Sequence, residues 1–246
     1  MNPAEYASMY RIEQDHWWYR GLRDIVFHWV SKLAPTDILD AGCGTGMVMA
    51  ELTKQGYNVQ GIDFSPIAID FCHQRGLTQA QVGRMEQLSQ PDASLDLITA
   101  LDVLGPLTDD EVSLALDHFH RTLRPGGHVI CNVAALRWLY STHDQACNWR
   151  RRYHRRELKE LFERHDFQVE FLTFRLFLLF PLVALTKLLE KRHMKTDMKE
   201  SQGDLEKTSP LTNALLYPIM RLENWLLNFT SLPWGSSLFV VARKLK

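Results

Sequence analysis

The chain has 246 residues, of which 46% are hydrophobic and 23% charged, and its formal net charge is -1. This composition is typical of a globular protein that can bury a core, and it excludes global disorder. A net charge near zero provides no electropositive field to attract nucleic acid, so we expect no nucleic-acid partner.

The chain has four cysteines: Cys43, Cys72, Cys131 and Cys147. They are far apart in sequence and no histidine lies at zinc-ligand spacing, so we expect no metal site and reduced thiols in a cytoplasmic protein. The N-terminal segment has no apolar run of the kind found in signal peptides. The most apolar stretch, residues 176–186, is shorter than the roughly 20 residues that span a bilayer.

Apolar residues recur at helical spacing over residues 6–33 and predict one helix, which Pro35 ends. From residue 37 onwards, short apolar runs alternate with helical segments, a pattern typical of repeated βα units and a parallel sheet. Seven strands are predicted, at 37–40, 58–63, 79–83, 95–101, 128–133, 168–174 and 238–243. Helices are predicted at 46–55, 66–75, 109–123 and 154–165. Residues 124–127 predict a turn before the fifth strand.

The first strand leads into the loop Asp40-Ala41-Gly42-Cys43-Gly44-Thr45-Gly46. Its glycines permit positive φ angles or a close approach of a ligand, and the next helix presents free N–H groups there. The dinucleotide fingerprint G-x-G-x-x-G would place its third glycine at position 47, which is Met47. This spacing, with the absence of a Tyr-x-x-x-Lys pair, disfavours a nicotinamide-dependent oxidoreductase.

The 40–46 loop resembles the first motif of class I S-adenosylmethionine-dependent methyltransferases, and the likeness covers residues 36–174 and 238–243. It implies an α/β fold: a Rossmann-like, seven-stranded, mostly parallel sheet with helices on both faces, an antiparallel last strand and a helical insertion between strands six and seven. The expected parts are an N-terminal helical cap, a core and an apolar insertion that serves as a lid, substrate or membrane-surface element. Their bounds are 1–35, 36–174 plus 236–246, and 175–235.

The same resemblance implies S-adenosylmethionine as cofactor and assigns it a set of binding residues. In the family, an acid at Asp40 orders the loop and the methionine part, an acid at Asp63 accepts the ribose hydroxyls, and Phe64 stacks on adenine. The implied cofactor-binding residues are Tyr19, Arg23, Asp40, Gly42, Gly44, Gly46, Asp63, Phe64, Met85 and Leu101.

At Arg84 the sequence departs from the family's pattern, and the segment that contains Tyr19 and Arg23 has an alternative explanation. Arg84 stands where an acid often binds the adenine amino group, so a backbone group of Met85 or the carboxylate of Glu86 is expected to replace that contact. The segment HWWYRGLR resembles the helix that covers the cofactor in a bacterial subgroup, and it makes Tyr19 and Arg23 candidates for binding the methionine carboxylate. Its tryptophans are equally explained as core aromatics.

The segment after the fifth strand is expected to form a substrate loop, because ligands bind at the carboxyl ends of the strands in open α/β sheets. His143 is the candidate general base and Asp144 its candidate partner, since imidazole titrates near neutrality. The alternative is an Asp144 that caps a turn beside an exposed histidine. Five arginines follow: Arg150, Arg151, Arg152, Arg155 and Arg156. They are explained equally well by binding of an anion and by surface ion pairs.

The sequence thus predicts methyl transfer by in-line displacement to a small acceptor. The apolar insertion favours a hydrophobic or lipid-like acceptor and peripheral membrane contact through residues 175–235. A non-catalytic protein that keeps the cofactor fold is the alternative function.

Overall fold

The computed structural model describes residues 3–141, 144, 148–193 and 209–245. The strands are β1 (Asp37–Ala41), β2 (Asn58–Asp63), β3 (Ala80–Val82), β4 (Leu95–Leu101), β5 (Leu123–Ala134), β6 (Phe167–Arg175) and β7 (Ser237–Lys244). The helices are α1 (Pro3–Ile12), α2 (Trp17–Leu33), α3 (Met47–Lys54), α4 (Pro66–Gln74), α5 (Asp109–Thr122), α6 (Arg155–Arg164), α7 (Phe180–His193) and α8 (Pro210–Leu226). The helices α7 and α8 belong to the insertion, and its intervening polar residues 194–208 lie outside the described residues.

The strands form one sheet in the order β3-β2-β1-β4-β5-β7-β6. Strand β7 runs antiparallel to both β5 and β6, and the other neighbouring strands are parallel. This topology confirms the predicted fold class. It places the carboxyl ends of β1, β2 and β4 side by side at one edge of the sheet.

Both faces of the sheet are covered, as predicted for α/β folds. Adjacent residues of one strand point into different apolar clusters: Leu39 packs with Phe119 of α5, whereas Ile38 packs with Val26 of α2 and Leu52 of α3. Such alternation follows from the period of two residues in a strand, and it explains why the central strands carry apolar side chains on both faces.

The helix predicted over 6–33 is in fact two helices, α1 and α2. The chain turns because His16 is extended (φ -65°, ψ 127°) and its ring accepts a hydrogen bond from the Trp18 amide at 3.2 Å. The Arg23 guanidinium stabilises the turn by donating to the carbonyls of Glu13 and Gln14, at 2.5 and 2.9 Å. These contacts lie outside the apolar pattern from which one continuous helix was predicted.

The turn predicted at 124–127 lies inside β5, which begins at Leu123. Leu123 pairs with Leu95, and the next pair is His128 with Leu97. The register between β4 and β5 therefore shifts between these two pairs. Gly126 has a φ of +80° and allows the strand to bulge without being interrupted.

The insertion packs on the N-terminal helices through close contact between α2 and α8. A Cβ at Gly21 would lie 2.8 Å from the Cβ of Met220, so only glycine allows the two helices to approach this closely. The Tyr217 hydroxyl donates to Asp24 at 3.0 Å, and the Asn224 amide donates to the Gly21 carbonyl at 2.8 Å. None of the described helices is both long and apolar enough to span a membrane.

Substituting Gly21→Ala should lower the free energy of unfolding by about 1–3 kcal/mol, because the new methyl group overpacks the α2–α8 contact. Urea denaturation measures this change. Ser31→Ala, on an exposed part of the same helix, should shift it by less than about 0.5 kcal/mol. Equal stability of the two variants would contradict the packing described here.

Candidate active site

A cavity of about 660 Å³ opens at the carboxyl ends of β1, β2 and β4. Its position agrees with the general rule that open α/β sheets bind ligands at this edge. The cavity wall contains every predicted cofactor-binding residue except Gly46. Gly46 is instead the N-cap residue of α3. Its φ is +84°, and a Cβ there would lie 2.6 Å from the Leu77 side chain.

The glycine loop is held against β2 by backbone hydrogen bonds. The amides of Gly42 and Cys43 both donate to the Ile62 carbonyl, at 2.8 and 2.9 Å. Gly42 has a φ of +81°, and a Cβ there would lie 2.4 Å from the Val103 side chain. Residue 42 therefore has to be glycine, because another side chain would disfavour this positive φ and would clash with Val103.

Asp63 ends β2 and faces the cavity with its carboxylate already fixed. Its Oδ2 accepts from the Gly44 amide at 3.0 Å, and its Oδ1 accepts from the Ser65 amide at 2.9 Å and from the Tyr6 hydroxyl at 3.4 Å. Burial raises the pKa of Asp63, and the hydrogen bonds from the two amides oppose that shift. A carboxylate held in this way is suited to accept hydroxyl groups of a ligand.

Asp40 is the second buried carboxyl group of the cavity wall. Burial raises its pKa to about 7, although the Thr99 hydroxyl donates to Oδ1 at 2.6 Å and partly offsets the shift. A cationic ligand group near this carboxyl would favour its charged form.

The far end of the cavity is formed by Phe64, which is half-exposed, and by the short 3-10 helix Met85–Gln87. Arg84, which stands where the family often has an acid, forms an ion pair with Glu86 and a 3.4 Å contact with Glu111. The buried Glu86 carboxylate also lines the cavity. Its position agrees with the expectation that Glu86 or a backbone group of Met85 replaces the missing acid.

The two residues predicted to bind the methionine carboxylate both line the cavity. Tyr19 lies edge-on to Trp18, with ring centroids 4.9 Å apart. Arg23, however, is buried, and it donates to the α1–α2 turn and contacts Glu51 at 3.3 Å. Its observed contacts favour a role in holding the turn.

Helix α1 covers the glycine loop. The Met9 side chain lies above Gly44, where a Cβ would be 2.6 Å from its terminal methyl group. The buried Glu13 carboxylate accepts from the Thr45 hydroxyl and from Arg75, whose nitrogen lies 2.5 Å away. These contacts connect the N-terminal helices to the loop that they cover.

The contacts of Asp144 favour the alternative in which it caps a turn, and its catalytic role stays a prediction. This residue is fully buried and lies outside the cavity wall; its carboxylate accepts two hydrogen bonds from Arg152, at 2.8 and 3.0 Å, and two from Ser141. Its hydrogen-bonding capacity is thus filled by a structural ion pair. His143 lies outside the described residues, and its role as a base stays a prediction.

The arginine cluster is divided between the cavity and the surface. Arg150 and Arg152 line the cavity. Arg151 forms an ion pair with Asp109, Arg155 donates to the Leu172 carbonyl at 2.9 Å, and Arg156 pairs with Glu160 at 2.7 Å. Surface ion pairs therefore explain part of the cluster. In the described part of the chain, no group of three or more His, Cys, Asp or Glu side chains is arranged to hold a metal.

The sequence analysis missed Asp102, which directly follows β4 and lines the cavity. It has a φ of +59°, which is uncommon for a residue other than glycine. Asn132 donates to both of its carboxyl oxygens, at 2.9 and 3.0 Å, and burial raises its pKa to about 7. An acid directly after a buried parallel strand is a signal that could have identified it.

Sequence comparison agrees with the class that this fold and cavity define, the class I S-adenosylmethionine-dependent methyltransferases. Residues 15–171, well over half of the chain, match the family model described as a methyltransferase domain. The chain therefore belongs to the methyltransferase domain family.

Curated relatives are similar over part of their length. The chain is 26% identical to the ubiquinone biosynthesis O-methyltransferase of Pseudomonas aeruginosa in an alignment 152 residues long, and the match covers 54% of this chain and 65% of that protein. It is 32% identical to the malonyl-[acyl-carrier protein] O-methyltransferase of Serratia marcescens over 99 residues, 40% of this chain and 38% of that protein. The match thus spans less than two thirds of either relative.

A solved structure with a similar fold is the TehB-like SAM-dependent methyltransferase of Corynebacterium glutamicum. It is 23% identical with a TM-score of 0.55, and the alignment covers 92% of this chain and 88% of that chain. The likeness agrees with the observed sheet order and supports the fold alone.

The raised pKa of Asp40 predicts how the stability of the ligand-free protein depends on pH. Its folded-state pKa of about 7 lies above its ordinary value of 3.8, so the folded protein retains a proton that the unfolded chain releases. The free energy of unfolding should therefore fall as the pH rises from 3.8 to about 7, by up to about 1.4 kcal/mol per pH unit. Asp40→Asn should reduce that slope in urea denaturation series, and an unchanged slope would contradict the prediction.

Proposed function

We propose that this protein transfers the methyl group of S-adenosylmethionine to an oxygen atom of a small acceptor with an apolar body. The observation that carries the proposal is one cavity that combines a carboxylate fixed for ribose hydroxyls, Asp63, with an apolar wall and a second carboxyl group, Asp102. The names of the two curated relatives, both O-methyltransferases, support oxygen as the methylated atom.

The side chains of the cavity fit this cofactor. Asp63 would accept hydrogen bonds from the ribose hydroxyls. The Tyr6 hydroxyl, which donates to Asp63 Oδ1 at 3.4 Å, would have to be displaced. Phe64 and Met85 would lie beside the adenine. Asp40, close to the glycine loop, would face the methionine part, whose ammonium group would favour the charged carboxylate. The cofactor supplies an activated methyl group and a sulfur leaving group, so the protein has mainly to orient the acceptor.

The acceptor side of the cavity is apolar. Its wall includes side chains from α2, from the loop after β4, from the segment after β5 and from the insertion: Trp17, Trp18, Val103, Leu107, Leu139, Leu176 and Val183. We propose that the cap of residues 1–35 and the insertion of residues 175–235 complete this wall. An apolar wall supports a hydrophobic or lipid-like acceptor, and a lipid-like acceptor would require peripheral membrane contact.

Asp102 is the proposed general base. An alcohol or phenol has to lose its proton as its oxygen attacks the methyl carbon, and a carboxylate with a pKa of about 7 can take that proton near neutral pH. The cofactor would supply the methyl group and a sulfur leaving group, and Asp102 would take the proton that the acceptor oxygen loses. Asn132, which donates to both carboxyl oxygens, would hold the group in place.

Cofactor binding tests the first part of the proposal. In calorimetric titrations, S-adenosylmethionine and S-adenosylhomocysteine should bind at micromolar concentrations, and NAD should not bind. Asp63→Ala should weaken both affinities by at least about tenfold, because it removes charge-assisted hydrogen bonds. Asp92→Ala, at an aspartate whose side chain is 77% exposed, is the matched control. Binding of NAD alone would favour an oxidoreductase and overturn the proposal.

The role of Asp102 is tested with phenols and alcohols that have apolar bodies, by measuring release of S-adenosylhomocysteine. With an accepted substrate, kcat/KM should rise with pH and level off above about 7, because only the deprotonated carboxylate acts as a base. Asp102→Asn should lower kcat/KM by about 100-fold or more and abolish that rise.

His143→Gln provides the comparison for this experiment. Loss of the pH-dependent rise in His143→Gln, with retention in Asp102→Asn, would assign the base to His143. Absence of turnover with every acceptor, despite cofactor binding, would favour a non-catalytic protein.

A further inference from the structure

Helix α8 carries an apolar stripe on the side that faces away from the core. Its five members are all 51–71% exposed: Leu211, Leu215, Leu222, Trp225 and Phe229. Their spacings of 4, 7, 3 and 4 residues place them on one side of the helix and its C-terminal extension, over a length of ~27 Å. Large apolar side chains aligned in this way are unusual on the surface of a monomeric soluble protein.

The stripe is separate from the side of α8 that packs on the protein. Met220 lies on that opposite side and is fully buried, and it packs with Leu176 near Trp17 and Trp18. Leu176, Trp17 and Trp18 line the acceptor side of the cavity. The stripe and the acceptor wall are therefore separated by little more than the thickness of one helix.

A basic cleft adjoins the C-terminal end of the stripe. It has a volume of about 750 Å³, and Phe229 is part of its wall together with Arg155, Arg156 and Lys159 of α6. The cleft also contains Glu170, which is neutralised by Arg243 at 2.8 Å.

Two cations of the cleft remain available to a ligand. Arg156, whose side chain is 92% exposed, pairs with Glu160 at 2.7 Å, and Lys159 pairs with Glu163 at 3.5 Å. Exposed ion pairs of this kind contribute little energy, so an anionic ligand can compete for these side chains.

The one exposed charged residue of α8 is positive. The helix contains two charged residues, Arg221 and Glu223. Arg221 is exposed beside the stripe, whereas Glu223 is fully buried and accepts from the amides of Leu176 and Leu178, at 2.7 and 3.1 Å. An apolar stripe bordered by cations, with a tryptophan among its members, matches the interface of an anionic bilayer.

We propose that the α8 stripe and the basic cleft dock on the surface of an anionic lipid bilayer. The stripe would enter the boundary between headgroups and acyl chains, and the cleft would bind lipid phosphates. The purpose of this docking, delivery of a lipid-like acceptor to the adjacent cavity, rests on the proposed function. The docking itself does not, so binding to vesicles and binding of the cofactor can fail independently.

Vesicle flotation of the whole 246-residue chain tests the proposal. The protein should float with phosphatidylcholine vesicles that contain phosphatidylglycerol and should bind pure phosphatidylcholine far more weakly. The double variant Trp225→Asn/Phe229→Asn should reduce partitioning by about tenfold or more. The double variant Arg156→Gln/Lys159→Gln should reduce it by about fivefold for each cation removed.

Matched controls are Leu114→Asn, an exposed leucine on α5, and Arg164→Gln, an exposed arginine of α6 outside the cleft. Both should float as the unsubstituted protein does. Calorimetry with S-adenosylhomocysteine shows whether each variant keeps its fold and its cofactor site.

Absence of flotation with anionic vesicles would overturn the proposal even if the cofactor binds. So would equal flotation of the stripe variant and the unsubstituted protein. A dimer that dissociates in the stripe variant, without vesicle binding, would assign the stripe to a second copy of the chain and also overturn it.

Discussion

The carboxylate of Asp63 connects the parts of the molecule that form the cofactor site. It accepts from the Gly44 amide in the glycine loop, from the Ser65 amide at the start of α4 and from the Tyr6 hydroxyl of α1. Because a buried carboxylate is costly unless it is hydrogen-bonded, these three donors and the strand end that carries Asp63 depend on one another. Binding of a ribose would replace the long Tyr6 contact and keep the two backbone contacts.

Helix α8 packs on α2 although the two helices lie far apart in sequence. Gly21 allows α8 to approach α2, and Glu13 connects the same N-terminal segment to Thr45 in the glycine loop. The N-terminal helices thus contact both α8 of the insertion and the glycine loop.

The elements best predicted from sequence are those whose pattern is set by burial alone. The bounds of β2 and β4 agree with the prediction to the residue: β4 is a short, mainly apolar run, and β2 combines buried Val59 and Ile62 with a glycine-containing turn before it. The break between α1 and α2 was missed because it depends on Arg23 contacts that the local pattern does not contain. For the same reason the sequence could not show that Asp144 pairs with Arg152.

The family places cofactor-binding residues at strand ends with fixed spacing, so the sequence could name candidates for this role, and all of them except Gly46 line the cavity. The proposed acceptor wall could not be predicted in this way, since its side chains come from α2, the loop after β4, the segment after β5 and the insertion, and no local motif brings these together. Asp102 lies between these cases: its place directly after a buried strand can be read from the sequence, whereas its raised pKa results from burial in the folded protein and its orientation from Asn132, 30 residues further along the chain.

We propose that this cavity binds S-adenosylmethionine with its ribose at Asp63 and its reactive end towards Asp102. A crystal structure of the complex with S-adenosylhomocysteine would decide this. Both ribose hydroxyls should lie within hydrogen-bonding distance of the Asp63 carboxylate, the adenine should lie between Phe64 and Met85, and the sulfur should face the apolar wall beside Asp102. A ligand bound elsewhere, or with its ribose away from Asp63, would contradict it.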